Sequence, residues 1–259
     1  MELEVKGLSF SYGAHRVFED VSFEARSGQT VCLLGHNGVG KSTLFRCLLG
    51  LAEGYGGEIR VDGDEIRTMS RREFARRVAY IPQSTDPAFD YSVVDVVLMG
   101  RTAHGRGFAG TTPADEEAAF EALDRVGIAS LADCGFARIS GGERQMVLIA
   151  RALAQKTGML VMDEPTANLD FGNQYRTMRL IEDLRASGYL VVMSTHNPQQ
   201  ALAWATSVLV LHGGRLFAQG APEAVLTRET MERIYGIPVH VLDAVDENGR
   251  TRRVCVPGD

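Results

Sequence analysis

Residues 2–12 alternate apolar and polar positions, the pattern of a strand with one buried face. Val17 to Ala25 reads as a second strand after a Gly13-Ala14-His15 turn, so an antiparallel hairpin is expected at the start. Thr30 to Leu34, Val78 to Ile81, Gly158 to Met162 and Tyr189 to Thr195 are instead apolar throughout or nearly so. Each is too short for a helix and reads as a buried strand, the continuous ones as in a parallel sheet. Helical spacing follows in Leu44–Leu49, with Gly50 as a stop, in Ser92–Met99, in Ala114–Val126 and in Thr177–Arg185. A capping-box pattern, Ser70-Arg71-Arg72-Glu73, predicts a helix start in a basic stretch whose arginines (67, 71, 72, 76, 77) are expected on a solvated face. A helix from about Ile139 to Gln155 takes its apolar face from Met146, Val147, Ile149, Ala150 and Leu153. Asn197-Pro198-Gln199-Gln200 reads as N-cap, N1 proline and N3 glutamine. Val208–His212 and Arg215–Gln219 form a hairpin through Gly213-Gly214, and Ile237–Val256 forms a small two-stranded ornament turning at Asn248-Gly249.

Few runs between residues 84 and 157 look like strands, and Gly100 to Thr112 is a glycine-rich loop. The expected architecture is therefore an α/β core with an antiparallel β portion, interrupted by a helical insertion. Residues 1–83 and 158–240 form the core, 84–157 the helical insertion and 241–259 the ornament.

With 259 residues, the chain is long enough for one large domain. Its formal net charge of −6 and pI near 5.6 argue against a general nucleic-acid binder. The four cysteines, Cys32, Cys47, Cys134 and Cys255, are scattered with no C-x-x-C pair, which points to free thiols in a reducing compartment and not to a zinc or disulfide framework. The charged, alternating N-terminus is unlike a signal peptide, and no apolar run is long enough to span a bilayer. Trp204 and the methionines fall in apolar stretches and read as core.

Chemistry concentrates at the ends of the apolar runs. Gly35-His36-Asn37-Gly38-Val39-Gly40-Lys41-Ser42-Thr43 fits G-x-x-x-x-G-K-[ST] between a strand and a helix. Glycines let backbone N–H groups converge on phosphate oxygens, and the helix adds its partial positive end. Lys41 can reach the β- and γ-phosphates, and the Ser42 hydroxyl can ligate Mg²⁺. Asp163-Glu164 close a buried strand, where ligands bind in open α/β sheets. Asp163 can hold Mg²⁺ and Glu164 can orient or deprotonate a water. His196 sits at a strand-to-helix junction on the same edge. Ser140-Gly141-Gly142 at a helix start makes a second anion-binding device, and Tyr12, at a strand end, could stack on an adenine.

Taken together, and in this order, these motifs resemble the ATP-binding subunit of ATP-binding cassette (ABC) transporters over nearly the whole chain. The most specific element is Ser140-Gly141-Gly142-Glu143-Arg144-Gln145 between a Walker A and a Walker B. The resemblance implies a P-loop NTPase (RecA-like) core whose helical insertion carries the signature. It implies that Tyr12 is the adenine-stacking aromatic, Gln83 the Q-loop glutamine that senses Mg²⁺, Asp163 the Walker B aspartate and Glu164 the catalytic glutamate. Asn168-Leu169-Asp170 resembles the D-loop, and His196 the switch histidine that contacts the γ-phosphate. Ser140, Gly141, Gly142 and Gln145 would cap a nucleotide held by a second copy in a head-to-tail, ATP-sandwiched dimer. His36, Ile139 and Asn168 depart from the commonest pattern without removing a phosphate-, Mg²⁺- or water-handling group.

Asp95-Val96-Val97-Leu98-Met99-Gly100-Arg101-Thr102 and Leu169-Asp170-Phe171-Gly172-Asn173-Gln174 look like the importers of iron–siderophore, haem, cobalamin or oxyanion cargo. The implied setting is the cytoplasmic face of a membrane, with integral permease subunits, touched around residues 84–112, and indirectly a cargo-binding protein. The rivals are a soluble ABC ATPase acting on DNA or ribosomes, whose relatives usually carry a coiled-coil insertion or tandem cassettes, and a nucleotide-binding scaffold without turnover. The presence of Glu164 and His196 disfavours the scaffold.

Overall fold

A computed structural model describes residues 1–83, 91–104 and 110–258. The first strands are β1 (Glu2–Tyr12), β2 (His15–Arg26) and β3 (Thr30–Leu34), followed by helix α1 (Lys41–Leu48). Next come β4 (Gly56–Val61), β5 (Asp64–Glu65), α2 (Arg71–Ala75) and β6 (Val78–Ile81). The helical stretch holds α3 (Val93–Leu98), α4 (Pro113–Arg125) and α5 (Gly141–Ala154). The chain then runs through β7 (Met159–Met162), α6 (Phe171–Ala186), β8 (Leu190–Thr195), α7 (Pro198–Trp204), β9 (Ser207–His212) and β10 (Arg215–Gly220). It finishes with α8 (Pro222–Val225), α9 (Arg228–Tyr235), β11 (Val239–Val245) and β12 (Thr251–Pro257).

The central sheet has the order β10-β9-β3-β8-β7-β6; β10 is antiparallel to β9 and the other pairs are parallel. Its apolar strands alternate between two cores. Cys32, Leu34, Leu160, Met162, Val191 and Met193 join the cluster under the helical stretch. Their neighbours Val31, Leu33, Met159, Val161, Leu190 and Val192 join the cluster under the antiparallel sheet β2-β1-β4-β5. Burial on both faces is why these runs show no polar alternation. The parallel edge puts the C-terminal ends of β3, β7 and β8 side by side, and the candidate residues follow them.

Some expectations need correction. The basic stretch is solvated as expected, with Arg67, Arg71, Arg72 and Arg76 exposed, but its guanidiniums also make specific contacts. Arg67 stacks 3.8 Å over the Tyr55 ring and donates to the Tyr55 and Gly57 carbonyls. Arg72 and Arg76 both donate to Ala103 O, and Arg77 to Val61 O, so these guanidiniums tie the stretch to neighbouring backbone. Helix α6 starts six residues before the expected Thr177, because the Asp170 side chain accepts the Asn173 N–H and caps it. Gln200 forms no capping box with Asn197; its Oε1 accepts from Thr166 and Thr195 hydroxyls instead. The C-terminal hairpin begins at buried Val239, inside the expected Ile237–Val256, but its connection is wider than the expected Asn248-Gly249 turn, with Asp246 accepting from the Asn248 and Arg250 N–H groups. Parts of the expected 84–112 contact region (84–90 and 105–109) lie outside the described residues.

All four cysteines are free; burial pushes Cys32 up to about 12 and Cys47 to about 11, so both are inert thiols beside the glycine-rich loop. Trp204 is partly buried against the core and meets Tyr175 edge-on at 5.9 Å.

Candidate active site

Residues 35–40 leave β3 and feed α1, whose first residue is Lys41. Gly40 caps this helix at φ 107°, and a Cβ there would lie 2.7 Å from Val17 Cγ1 on β2. Only glycine meets both conditions, and the contact seats the antiparallel sheet against the loop. Lys41 is 6% exposed, and its Nζ donates to Gly35 O at 2.7 Å and His36 O at 3.2 Å. Burial lowers its pKa, while Glu164 and Asp163 pull it back up. The ammonium is thus held at the mouth of the loop with a carboxylate, Glu164 Oε1, 3.8 Å away. A cavity of about 300 Å³ opens here, lined by Asn37, Gly38, Lys41, Ser42, Gln83 and Glu164 among others.

Asp163 and Glu164 follow β7 and diverge at once. Asp163 is 7% exposed and accepts the Ser194 hydroxyl at 2.5 Å. Glu164 has φ 45°, a left-handed backbone that turns its side chain away from the strand direction, and its N–H donates to the same Ser194 hydroxyl at 2.9 Å. Glu164 Oε2 then gathers two more groups: His196 Nδ1 at 3.0 Å and Gln83 Nε2 at 3.5 Å. The fold therefore brings Lys41, Gln83, Asp163, Glu164 and His196 together from four chain segments. Ser42, exposed beside Lys41, Asp163 and Gln83 supply hydroxyl, carboxylate and amide oxygens, the hard donors that suit Mg²⁺.

Other expected residues stand apart. Among the described residues no hydrogen bond links 139–145 to 35–43. Ser140 caps α5 in a reciprocal box: its hydroxyl accepts the Glu143 N–H at 3.3 Å, while its own N–H donates to Glu143 Oε2 at 2.8 Å. The hydrogen bonds from Ser140 hold the Glu143 carboxyl below its usual range. Ser140 and Gly141 are exposed, but Gln145 is buried on the inner side of α5 with Nε2 unpartnered. Two residues beyond Glu143, it has rotated away from the surface that Ser140 presents. Asp170 lies at the start of α6, and Tyr12 is 48% exposed at the end of β1 with its ring edge-on to Phe10 at 4.9 Å. Within the loop, Val39 is buried, Thr43 half-buried, and His36 meets His212 edge-on at 6.5 Å.

Sequence reading missed Ser194, Thr166, Gln200 and Tyr235. Ser194 had a signal, a hydroxyl inside a buried apolar strand, where a polar group needs a partner. Thr166 and Gln200 follow Glu164 and His196 closely but show no pattern of their own, and Tyr235 reaches the site only through the tertiary fold.

The chain matches the family described as ABC transporter over residues 18–167. It is 40% identical to an uncharacterized ABC transporter ATP-binding protein of Haemophilus influenzae over 235 residues, 91% of this chain and 89% of that protein. It is 36% identical to the ferric enterobactin transport ATP-binding protein FepC of Escherichia coli K12, over 91% of this chain and 88% of that protein. Among solved structures, a transporter described as of the metal-chelate type, in an inward-facing conformation, aligns with a TM-score of 0.89 and 34% identity, covering 99% of this chain and 97% of that one.

Proposed function

This chain belongs to the ABC transporter family, and from that premise we propose that it is the ATP-hydrolysing subunit of an importer whose cargo is a metal chelate. The observation that carries the reading is the convergence of Lys41, Gln83 and His196 on Glu164. Backbone N–H groups of 38–43 and Lys41 hold the nucleotide phosphates, with Tyr12 offered to the adenine. Ser42, Asp163 and Gln83 would hold Mg²⁺, which neutralises charge on the β- and γ-phosphates when bound. Glu164 orients a water and takes its proton as the water oxygen bonds to the γ-phosphorus and the bond to the β-phosphate oxygen breaks. The products are ADP and phosphate. His196, 3.0 Å from Glu164, would contact the γ-phosphate beside it.

The exposed start of α5, with Ser140 and Gly141, supports a head-to-tail pair in which each copy caps the other's ATP, with Asp170 near the seam. ATP would then hold the dimer and hydrolysis release it. Among the described residues no helix is long and apolar enough to cross a membrane, so coupling to transport requires permease subunits. A groove of about 740 Å³ lies between the core and the helical stretch, lined by Leu51, Tyr55, Phe74, Tyr80, Met99 and Arg151 among others. Its apolar walls support permease docking there, on the cytoplasmic face of the membrane. A cargo-binding protein would act on the far side.

A tagged pull-down from detergent-solubilised native membranes tests this reading. A polytopic permease identified by mass spectrometry is the expected partner. Recovery with ribosomes or DNA-repair proteins, or alone in the soluble fraction, would overturn it.

A further inference from the structure

The loop that carries His196 is held from behind by the C-terminal segment. His196 lies between β8 and α7 with its imidazole 55% exposed, so packing alone does not fix it. Its backbone carbonyl accepts the Tyr235 hydroxyl at 2.7 Å. Tyr235 is the last residue of α9, a helix capped by Thr227, anchored by buried Met231 and Ile234, and stopped by Gly236 at φ 68°. Burial raises the Tyr235 phenol above its ordinary pKa, so it remains a donor wherever the protein works.

The next turn is gripped as well. Gln199, in the first turn of α7, accepts the Cys255 N–H at 3.1 Å and donates to Arg253 O at 3.3 Å. Its side-chain amide thereby pairs with β12 much as a neighbouring strand would. Between these two anchors, the Asn197 N–H donates to Thr195 Oγ1 at 3.0 Å, and Thr195 donates to Gln200. The histidine is thus suspended between a tyrosine from α9 and a hairpin docked on α7.

We propose that Tyr235 and the C-terminal hairpin are positioning elements for hydrolysis: they hold the His196 backbone so that its imidazole meets Glu164 and the γ-phosphate, and whatever displaces the hairpin slows turnover without weakening ATP binding. This inference rests on the reading of His196 as a γ-phosphate contact. The physical basis is preorganisation: an exposed side chain on an untethered loop samples many positions, and only one is productive.

Steady-state MgATP hydrolysis by the full-length protein tests it. Tyr235→Phe removes one oxygen and keeps the ring. The expected result is a fall in kcat of about three- to tenfold, the worth of one hydrogen bond, with KM for ATP within about twofold of wild type. Gln199→Ala should move kcat in the same direction. A Tyr235→Phe variant with unchanged kcat, or with raised KM and unchanged kcat, overturns the proposal. So does a normal Tyr235→Phe beside an impaired Tyr235→Ala, which would assign the role to ring packing. His196→Ala separates the two layers of argument. If it hydrolyses ATP normally, the reading of His196 fails and nothing remains to be positioned; if it is inactive while Tyr235→Phe is normal, only the positioning role fails.

Discussion

Ser194 and Asp163 share a 2.5 Å hydrogen bond, and the same hydroxyl accepts the backbone N–H of Glu164. One oxygen on β8 therefore sets the divergence of the two adjacent carboxylates that follow β7. Ser194 is fully buried, so its loss leaves a carboxylate and an N–H without a partner in a dry setting. Ser194→Ala should lower stability by about 1–3 kcal/mol, read as a fall in the denaturant midpoint. It should also lower kcat more than it raises KM, because the Glu164 backbone loses its tether. Unchanged stability and kcat would remove Ser194 from this role.

Glu164→Gln keeps the size and one acceptor oxygen but removes the carboxylate that would take the water's proton. Hydrolysis should fall by at least about 100-fold, the usual span of general-base catalysis, while ATP binding persists. Because ATP is then retained, an ATP-dependent dimer should accumulate on gel filtration. Lys41→Ala should behave oppositely, weakening ATP binding itself and giving no such dimer. A Glu164→Gln variant that turns over normally would assign water activation elsewhere.

Much of the site could be read from local order because its chemistry sits at strand ends. Buried runs stop at Leu34, Met162 and Thr195, and the residues that follow are the ones that converge. Glycine spacing at 35–40 and the acid pair at 163–164 are local signals of that kind. Gln145 is buried although Ser140 and Gly141 of the same motif are exposed, because a motif is written linearly while a helix turns by about 100° per residue. Helix α6 starts earlier than its apolar spacing predicts because the Asp170 side chain accepts the Asn173 N–H, a contact that the local sequence does not reveal. Tyr235 and Gln199 carried no local mark at all, since what they hold lies 39 residues away for Tyr235 and 54 for Gln199.

Asn173 lies against Gly142, which makes the signature helix and the start of α6 a single contact. A Cβ on Gly142 would fall 2.7 Å from Asn173 Nδ2 and 2.8 Å from Cγ. That amide is not free to swing away, because Nδ2 donates to Asp170 Oδ2 at 2.7 Å. Gly142→Ala should therefore destabilise the fold by about 1–3 kcal/mol through overpacking. Adding Asn173→Ala should return part of that loss, a non-additive result expected of touching residues. Thermal melts of the single and double variants measure it, and simple additivity would show that the contact carries no strain.

Asp115 gives a pH signature away from the site. It accepts from the Thr112 hydroxyl at 2.7 Å and from Arg101 Nε at 2.9 Å, while Arg101 also donates to Ala154 O at the end of α5. The group joins α4, α5 and the turn after α3. Thr112 and Arg101 hold the Asp115 carboxyl down to about 2 from an ordinary 3.8. A depressed carboxylate stabilises the fold fully above its unfolded pKa, and the gain disappears as pH falls through the folded one. The stability difference between wild type and Asp115→Asn should therefore be constant above about pH 5 and shrink between about pH 4 and pH 2. Chemical denaturation across that range checks the sign: a difference that grew on acidification would mean that the carboxyl is protonated in the folded chain, contrary to its pairing with Arg101.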